Sequence, residues 1–288
     1  MNDLQVAFFI QIIFMRNSIP LLVCLFFAVC VNAARVDTIV VYSNAMHKNI
    51  KVAVVIPDNA VKQMGVKFPV VYLLHGYSGN YGSWLKDAPQ LQYRADQYQI
   101  MLVCPDGGYG SWYYDSPIND SIRYETFITK ELLPYIDARF PTSANKDHRA
   151  ITGLSMGGHG GMFLGLRHTD LFGNAGSVCG GVDIRPFPNN WDIKKSLGTI
   201  TDQPQNWEDY SVINIAKNCK PGELNIIFDC GVSDFFIEVN RSLHQLLLTN
   251  KIDHDYTERP GGHNKAYWSN SIDYQLQYFA KSFMAAIK

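Results

Sequence analysis

The segment ITGLSMGGHGG, residues 151–161, holds five glycines around a single serine. A short strand-like run, HRAIT, leads into it, and a helical pattern continues from it through Leu166. Gly153-Leu154-Ser155-Met156-Gly157 fits G-x-S-x-G, the turn that carries a nucleophilic serine between a strand and a helix. Such a turn holds the serine in a strained conformation, and larger side chains two residues to either side would clash. The motif is short, and it gains weight from the strand before it and the helix after it. The N-terminus of that helix also favours negative charge beside Ser155.

Working outward, strand-like and helical runs alternate along most of the chain. VDTIVVYS and NIKVAVVIP are short, β-branched and separated by a polar turn, which predicts an antiparallel pair. FPVVYLLHG and YQIMLVCPDGG are continuous apolar runs ending in glycine, as expected of strands buried on both faces. SIRYETFITKELLPYIDARF has helical spacing, with Ile122, Phe127, Leu132, Leu133 and Ile136 sharing one face. NAGSVCGG, LNIIFDCGVSD and DHDYTERPGGH read as further strands. FFIEVNRSLHQLLLTN and YWSNSIDYQLQYFAKSFMAAI read as helices. The expectation is one α/β domain: a mostly parallel central sheet flanked by helices. Residues 182–215 break the alternation; this polar, irregular stretch is read as a small cap.

A serine hydroxyl is a weak nucleophile and needs a base, itself oriented by an acid. With this turn the chain order is serine, acid, histidine. His263 lies in a glycine-rich loop between the last strand and the last helix, where the base belongs. His75 and His159 are too close to the strand and turn backbones, and the other histidines sit in polar contexts. For the acid, Asp229 continues an apolar strand, whereas Asp234 falls beyond its C-terminal end, where ligands and catalytic groups collect. Asp234 is therefore preferred. Two backbone N–H groups must face the developing oxyanion. Met156, next to the nucleophile, supplies one and Tyr77, in the loop after the third strand, the other. His75 is read as a brace for that loop.

The chain has 288 residues, 47% hydrophobic and 18% charged, with a formal net charge of −1. This excludes the basic excess of a nucleic-acid binder and the polarity of a disordered chain. Residues 1–33 read as a signal peptide, with Arg16 before an apolar core from Ile19 to Val31 and a small-residue site at Val31-Asn32-Ala33. The apolar run is too short for a membrane anchor, and an apolar stretch ahead of it leaves Met15 as an alternative start. The mature domain, 34–288, is thus expected to be secreted or periplasmic, with no membrane anchor once the signal is removed. Cys104, Cys179, Cys219 and Cys230 remain in it, without a CxxC pair. Cys219 with Cys230 is the pair chosen if any is bridged.

With these residues placed, the chain resembles the putative-esterase family of α/β-hydrolases, which includes esterase D (S-formylglutathione hydrolase), feruloyl esterases and the antigen 85 mycolyltransferases. The likeness spans nearly the whole mature chain and rests on YLLHGYSGN, GSWYYDSP, YETFITKELLPYID, GLSMGGHGG, DCGVSDFF and PGGHNKAYW, in that order. It implies a nucleophile, acid and base at Ser155, Asp234 and His263 and oxyanion donors at Tyr77 and Met156. It further implies hydrolysis of a carboxylic ester through an acyl-enzyme, with no metal or organic cofactor. Among exported members the expected substrates are short-chain acyl or feruloyl esters, carried on carbohydrate. Trp84, Trp112, Tyr113, Tyr114, Trp191 and Trp207 are aromatic surfaces that could stack on a sugar or an aromatic acid, although each taken singly is more readily explained by packing. The sequence leaves open an acyltransferase or an S-formylglutathione hydrolase-like thioesterase on the same scaffold. A non-catalytic carbohydrate-binding protein would be expected to lack part of the Ser-His-Asp set.

Overall fold

The computed structural model describes residues 34–62 and 65–286; the signal-peptide reading and Met15 lie outside the described residues. Eight strands form one sheet in the order β1-β2-β4-β3-β5-β6-β7-β8. Here β1 is Arg35–Ser43, β2 Lys48–Ile56, β3 Val70–Leu74, β4 Met101–Pro105, β5 Arg149–Gly153, β6 Asn174–Val178, β7 Asn225–Gly231 and β8 His254–Arg259. The first two strands pair antiparallel, as their turn predicted, and β2 lies antiparallel to β4. From β4 to β8 every pairing is parallel. Every residue of β3, β4, β5 and β6 is buried, which explains the unbroken apolar runs of β3 and β4.

Parallel neighbours require crossovers, and helices supply them. They are α1 (Leu91–Tyr98), α2 (Leu133–Arg139), α3 (Met156–Arg167) and α4 (Ile237–Thr249), while α5 (Lys265–Ala285) follows the last strand. Two glycines show how α3 and α5 flank the sheet. A Cβ on Gly165 of α3 would meet Ala175, whereas a Cβ on Gly176 would meet Gln275 of α5. Residues 175 and 176 are successive on β6 and point to opposite faces, so the two helices cover opposite sides. Just before α2, a π-helical segment spans Phe127–Leu132. Pro134 has no N–H to donate into the preceding turn, which favours this wider winding. The predicted apolar face survives: Phe127, Leu132, Leu133 and Ile136 are all buried.

Residues 182–215 fold into three short helices, Lys194–Leu197, Pro204–Asp209 and Val212–Ile215. Ile184, Ile193, Leu197, Trp207 and Val212 are fully buried and join the main core. No helix among the described residues is long and apolar enough to cross a membrane.

The four cysteines of the described residues are free thiols, which corrects the Cys219–Cys230 pairing. Cys219 closes the turn before β7, and Cys230 sits near the strand's far end. Cys219 lies outside the strand and is half-buried, whereas Cys230 lies five strand steps beyond Asn225 and is fully buried. The neighbour of Cys230 is instead Cys179, because Val178 and Asp229 are in register on β6 and β7.

Candidate active site

Ser155 occupies the turn between β5 and α3 with φ 57° and ψ −116°, a conformation that L-residues avoid. The surroundings impose it. The Ser155 N–H donates to the Val178 carbonyl at 2.9 Å, tying the turn to β6. A Cβ at Gly157 would lie 2.1 Å from the Leu74 carbonyl oxygen, and one at Gly153 would lie 2.4 Å from it. Both motif glycines are therefore required by the close approach of β3.

His263 and Asp234 meet Ser155 from two other loops. The Ser155 hydroxyl is 2.9 Å from His263 Nε2, and His263 Nδ1 is 2.8 Å from Asp234 Oδ2. Nδ1–H donates to the carboxylate, which leaves Nε2 to accept the serine proton. The Phe236 N–H donates to Asp234 Oδ1, and the Asp234 side chain is fully buried. The acid and base loops are also pinned to each other. Ser233 N–H donates to Gly261 O, and Val232 N–H to Arg259 O, both at 2.9 Å. Behind His263, Asn264 caps α5 by accepting from Tyr267 N–H.

Asp229 does not reach this chain of contacts. It is buried, bonded to Ser271 and Gln275, and 3.5 Å from Arg259. Burial pushes its carboxyl above the usual range. It fastens α5 to β7.

The loop after β3 carries Tyr77 beside the serine. His75 Nε2 accepts from Gly107 N–H at 2.7 Å, so Nδ1–H donates to the Gly76 carbonyl at 2.8 Å. His75 braces the loop, as expected. Among the described residues neither the Tyr77 nor the Met156 amide has a protein acceptor. That leaves both available to a charged oxygen.

These groups line a cavity of about 440 Å³ that holds Tyr77, Ser155, Trp191, Phe235, His263 and Trp268. The Phe235 ring lies 4.3 Å from the imidazole of His263 and 5.6 Å from Trp191, against which it stacks. Trp268 meets the imidazole edge-on at 5.2 Å. The Tyr77 hydroxyl donates to Asp192 and is pushed up to about 12 by burial and by that carboxylate.

Of the aromatics proposed as substrate contacts only Trp191 lines this cavity. Trp84 is buried and donates to Leu74 O, and Trp207 is buried and donates to Gly198 O. Tyr114 is buried with its hydroxyl on Ser196, and Trp112 packs edge-on against His159. Tyr113 is buried as well, donating to the His75 carbonyl. Phe235 and Trp268 had gone unnoticed, although one follows Asp234 directly and the other lies about one helical turn after His263.

One set of metal-ligating side chains stands together here. Cys179 Sγ, the Asp234 carboxylate and a His263 nitrogen all lie within 4.8 Å of one another. Asp234 and His263 are already bonded to each other, and burial pushes the Cys179 thiol far up and keeps it protonated. The set is a neutral thiol beside the acid and base, unlike a metal cage.

The family model described as Putative esterase matches residues 43–279. An acetyl esterase of Caldicellulosiruptor saccharolyticus is 25% identical over 261 residues, covering 83% of this chain and 96% of its own length. A solved ferulic acid esterase superposes with a TM-score of 0.75 at 25% identity, over 87% of this chain and all of that one. The S-formylglutathione hydrolase of Staphylococcus aureus shares the fold, with a TM-score of 0.73 at 18% identity over 86% of this chain and all of its own. The chain thus belongs to the putative-esterase family of α/β-hydrolases and is a carboxylic ester hydrolase.

Proposed function

We propose that the protein is an exported serine esterase that removes short acyl or hydroxycinnamoyl groups from carbohydrate through an acyl-enzyme. The observation that carries the mechanism is the unbroken line Ser155 Oγ to His263 Nε2, and His263 Nδ1 to Asp234 Oδ2. His263 accepts the serine proton as Oγ attacks the ester carbonyl, and Asp234 fixes the tautomer and stabilises the imidazolium. The new oxyanion lies between the Tyr77 and Met156 amides, aided by the N-terminus of α3. The imidazolium returns its proton to the departing alcohol. Water then attacks the acyl-serine by the same route and restores Ser155.

The acyl choice is supported by the names of two relatives, an acetyl esterase and a ferulic acid esterase. The aromatic lining of Trp191, Phe235 and Trp268 suits a flat acid. Export rests on the sequence of residues 1–33.

The test is turnover of p-nitrophenyl acetate, p-nitrophenyl butyrate and methyl ferulate by the wild type and Ser155→Ala. Turnover that falls by about 10⁶ in the variant is expected for a serine acting within such a set. An undiminished rate in Ser155→Ala refutes the mechanism. Preference for methyl ferulate assigns the hydroxycinnamoyl substrate, and turnover confined to the acetyl ester assigns the short acyl group.

A further inference from the structure

A second cavity, of about 320 Å³, adjoins the catalytic one. The wall between them is thin and specific. Tyr77 faces Ser155 on one side, and its ring meets that of Tyr109 edge-on at 4.8 Å. Tyr109 lines the second cavity and is 65% exposed. Asp192 also lines the second cavity and holds the Tyr77 hydroxyl, while its neighbour Trp191 faces the first. Gly110 is required for this wall, since a Cβ there would come within 2.9 Å of the Tyr77 ring.

The rest of the second cavity is rich in hydrogen-bonding groups. Lys48 Nζ donates to the Tyr124 hydroxyl at 3.1 Å, which leaves two of its protons free. Asn119 uses its side-chain oxygen to accept from Ser121, so its NH₂ remains available. The charges are nearly balanced. Lys195 pairs with Asp192 at 3.1 Å, and burial lowers Lys48 while the charge of Asp106 works the other way. An exposed aromatic face, ringed by uncommitted donors and with a carboxylate near each lysine, Asp192 for Lys195 and Asp106 for Lys48, suits a ligand with an apolar C–H face and several hydroxyl edges. A neutral pyranose has that character.

We propose that this cavity is a subsite for a neutral glycosyl unit, stacked on Tyr109 and hydrogen-bonded by Lys48 and Asn119, in the chain that bears the ester. The proposal rests on the reading of the neighbouring cavity as an esterase site, and it adds the recognition of the carrier.

The test separates the two. Ser155→Ala protein, unable to turn over substrate, is titrated calorimetrically with unesterified tetrasaccharides of β-linked xylose, glucose and mannose, and with tetragalacturonate. Binding of at least one neutral tetrasaccharide is expected. Adding Tyr109→Ala should weaken it by about tenfold, the scale of one stacking contact. Binding of no tetrasaccharide, of tetragalacturonate alone, or equally well with and without Tyr109 overturns the subsite. Loss of all ester turnover in the wild type would instead overturn the esterase mechanism, and would leave the titration to be judged separately.

Discussion

His263 Nδ1 faces Asp234 Oδ2 at 2.8 Å, while Asp229, only five residues earlier, faces Ser271 and Gln275 on the far helix. Two acids of one strand end thus have separate tasks. Asp234→Asn should lower kcat by about 10⁴ with little change in melting temperature, because the imidazole tautomer is lost. Asp229→Ala should do the reverse, lowering stability with a far smaller effect on kcat. Steady-state kinetics beside thermal melts of both variants check this. Equal losses of activity would remove the distinction.

Gly157→Ala should cost about 3 kcal/mol or more of stability, since the new Cβ would press into the Leu74 carbonyl, which is fixed in a central strand. Gly82→Ala is the comparison, because its Cβ would meet only the Asn80 side chain at 3.3 Å. Urea titrations of the two variants should differ widely. Similar midpoints would show that β3 yields.

His159 gives the fold a sensitivity to acid. Its ring is fully buried, with Nε2 2.8 Å from Tyr210 O and Nδ1 3.1 Å from Trp112 O. Burial lowers its pKa to about 4, against the pull of the two carbonyls. The folded chain therefore binds fewer protons here than the unfolded one, whose histidine titrates near 6.5. This contribution to stability is intact above pH 6.5, falls as the pH drops towards 4, and levels off below. The total is roughly 3 kcal/mol. Melting temperatures measured from pH 7 to 4 should fall more steeply for the wild type than for His159→Gln. Parallel curves would contradict the assignment.

Trp191 and Trp207 come from the same polar segment and should respond differently. Trp191→Ala is expected to raise KM for methyl ferulate several-fold and spare p-nitrophenyl acetate, because the ring lines the cavity beside Phe235. Trp207→Ala should lower stability by about 3–5 kcal/mol, as expected for a fully buried ring. A rise in KM for ferulate only in the second variant would reverse these roles.

A thiol titration of the protein beginning at Ala34 should find four reactive thiols after denaturation. Only Cys219, the half-buried one, should react quickly in the native state. Two thiols after denaturation would demonstrate a bridge.

The sheet, its parallel half and the positions of Ser155, Asp234 and His263 were legible because each depends on local pattern: apolar runs, glycine spacing and strand ends. The eight-residue helix α1 was not singled out, since LQYRADQY is short and mostly polar, with only Leu91 and Ala95 buried. The aromatic assignments were the least legible. A tryptophan looks the same in sequence whether it faces a cavity, as Trp191 does, or donates to a strand carbonyl, as Trp84 does. The disulfide choice fails because Cys230 is buried within β7 beside Cys179, a neighbourhood set by strand register. The second cavity joins residues from β2, from 108–124 and from 192–196, and no local pattern relates them.

The loop of His263 is held by the carbonyl and amide bonds that join Ser233 to Gly261 and Val232 to Arg259. The base therefore reaches the serine only after β7 and β8 have paired, and these are the last strands in the described chain. A nascent or half-folded molecule carries its nucleophile in an unarmed state. Latency of Ser155 is thus built into the pairing of the two strands.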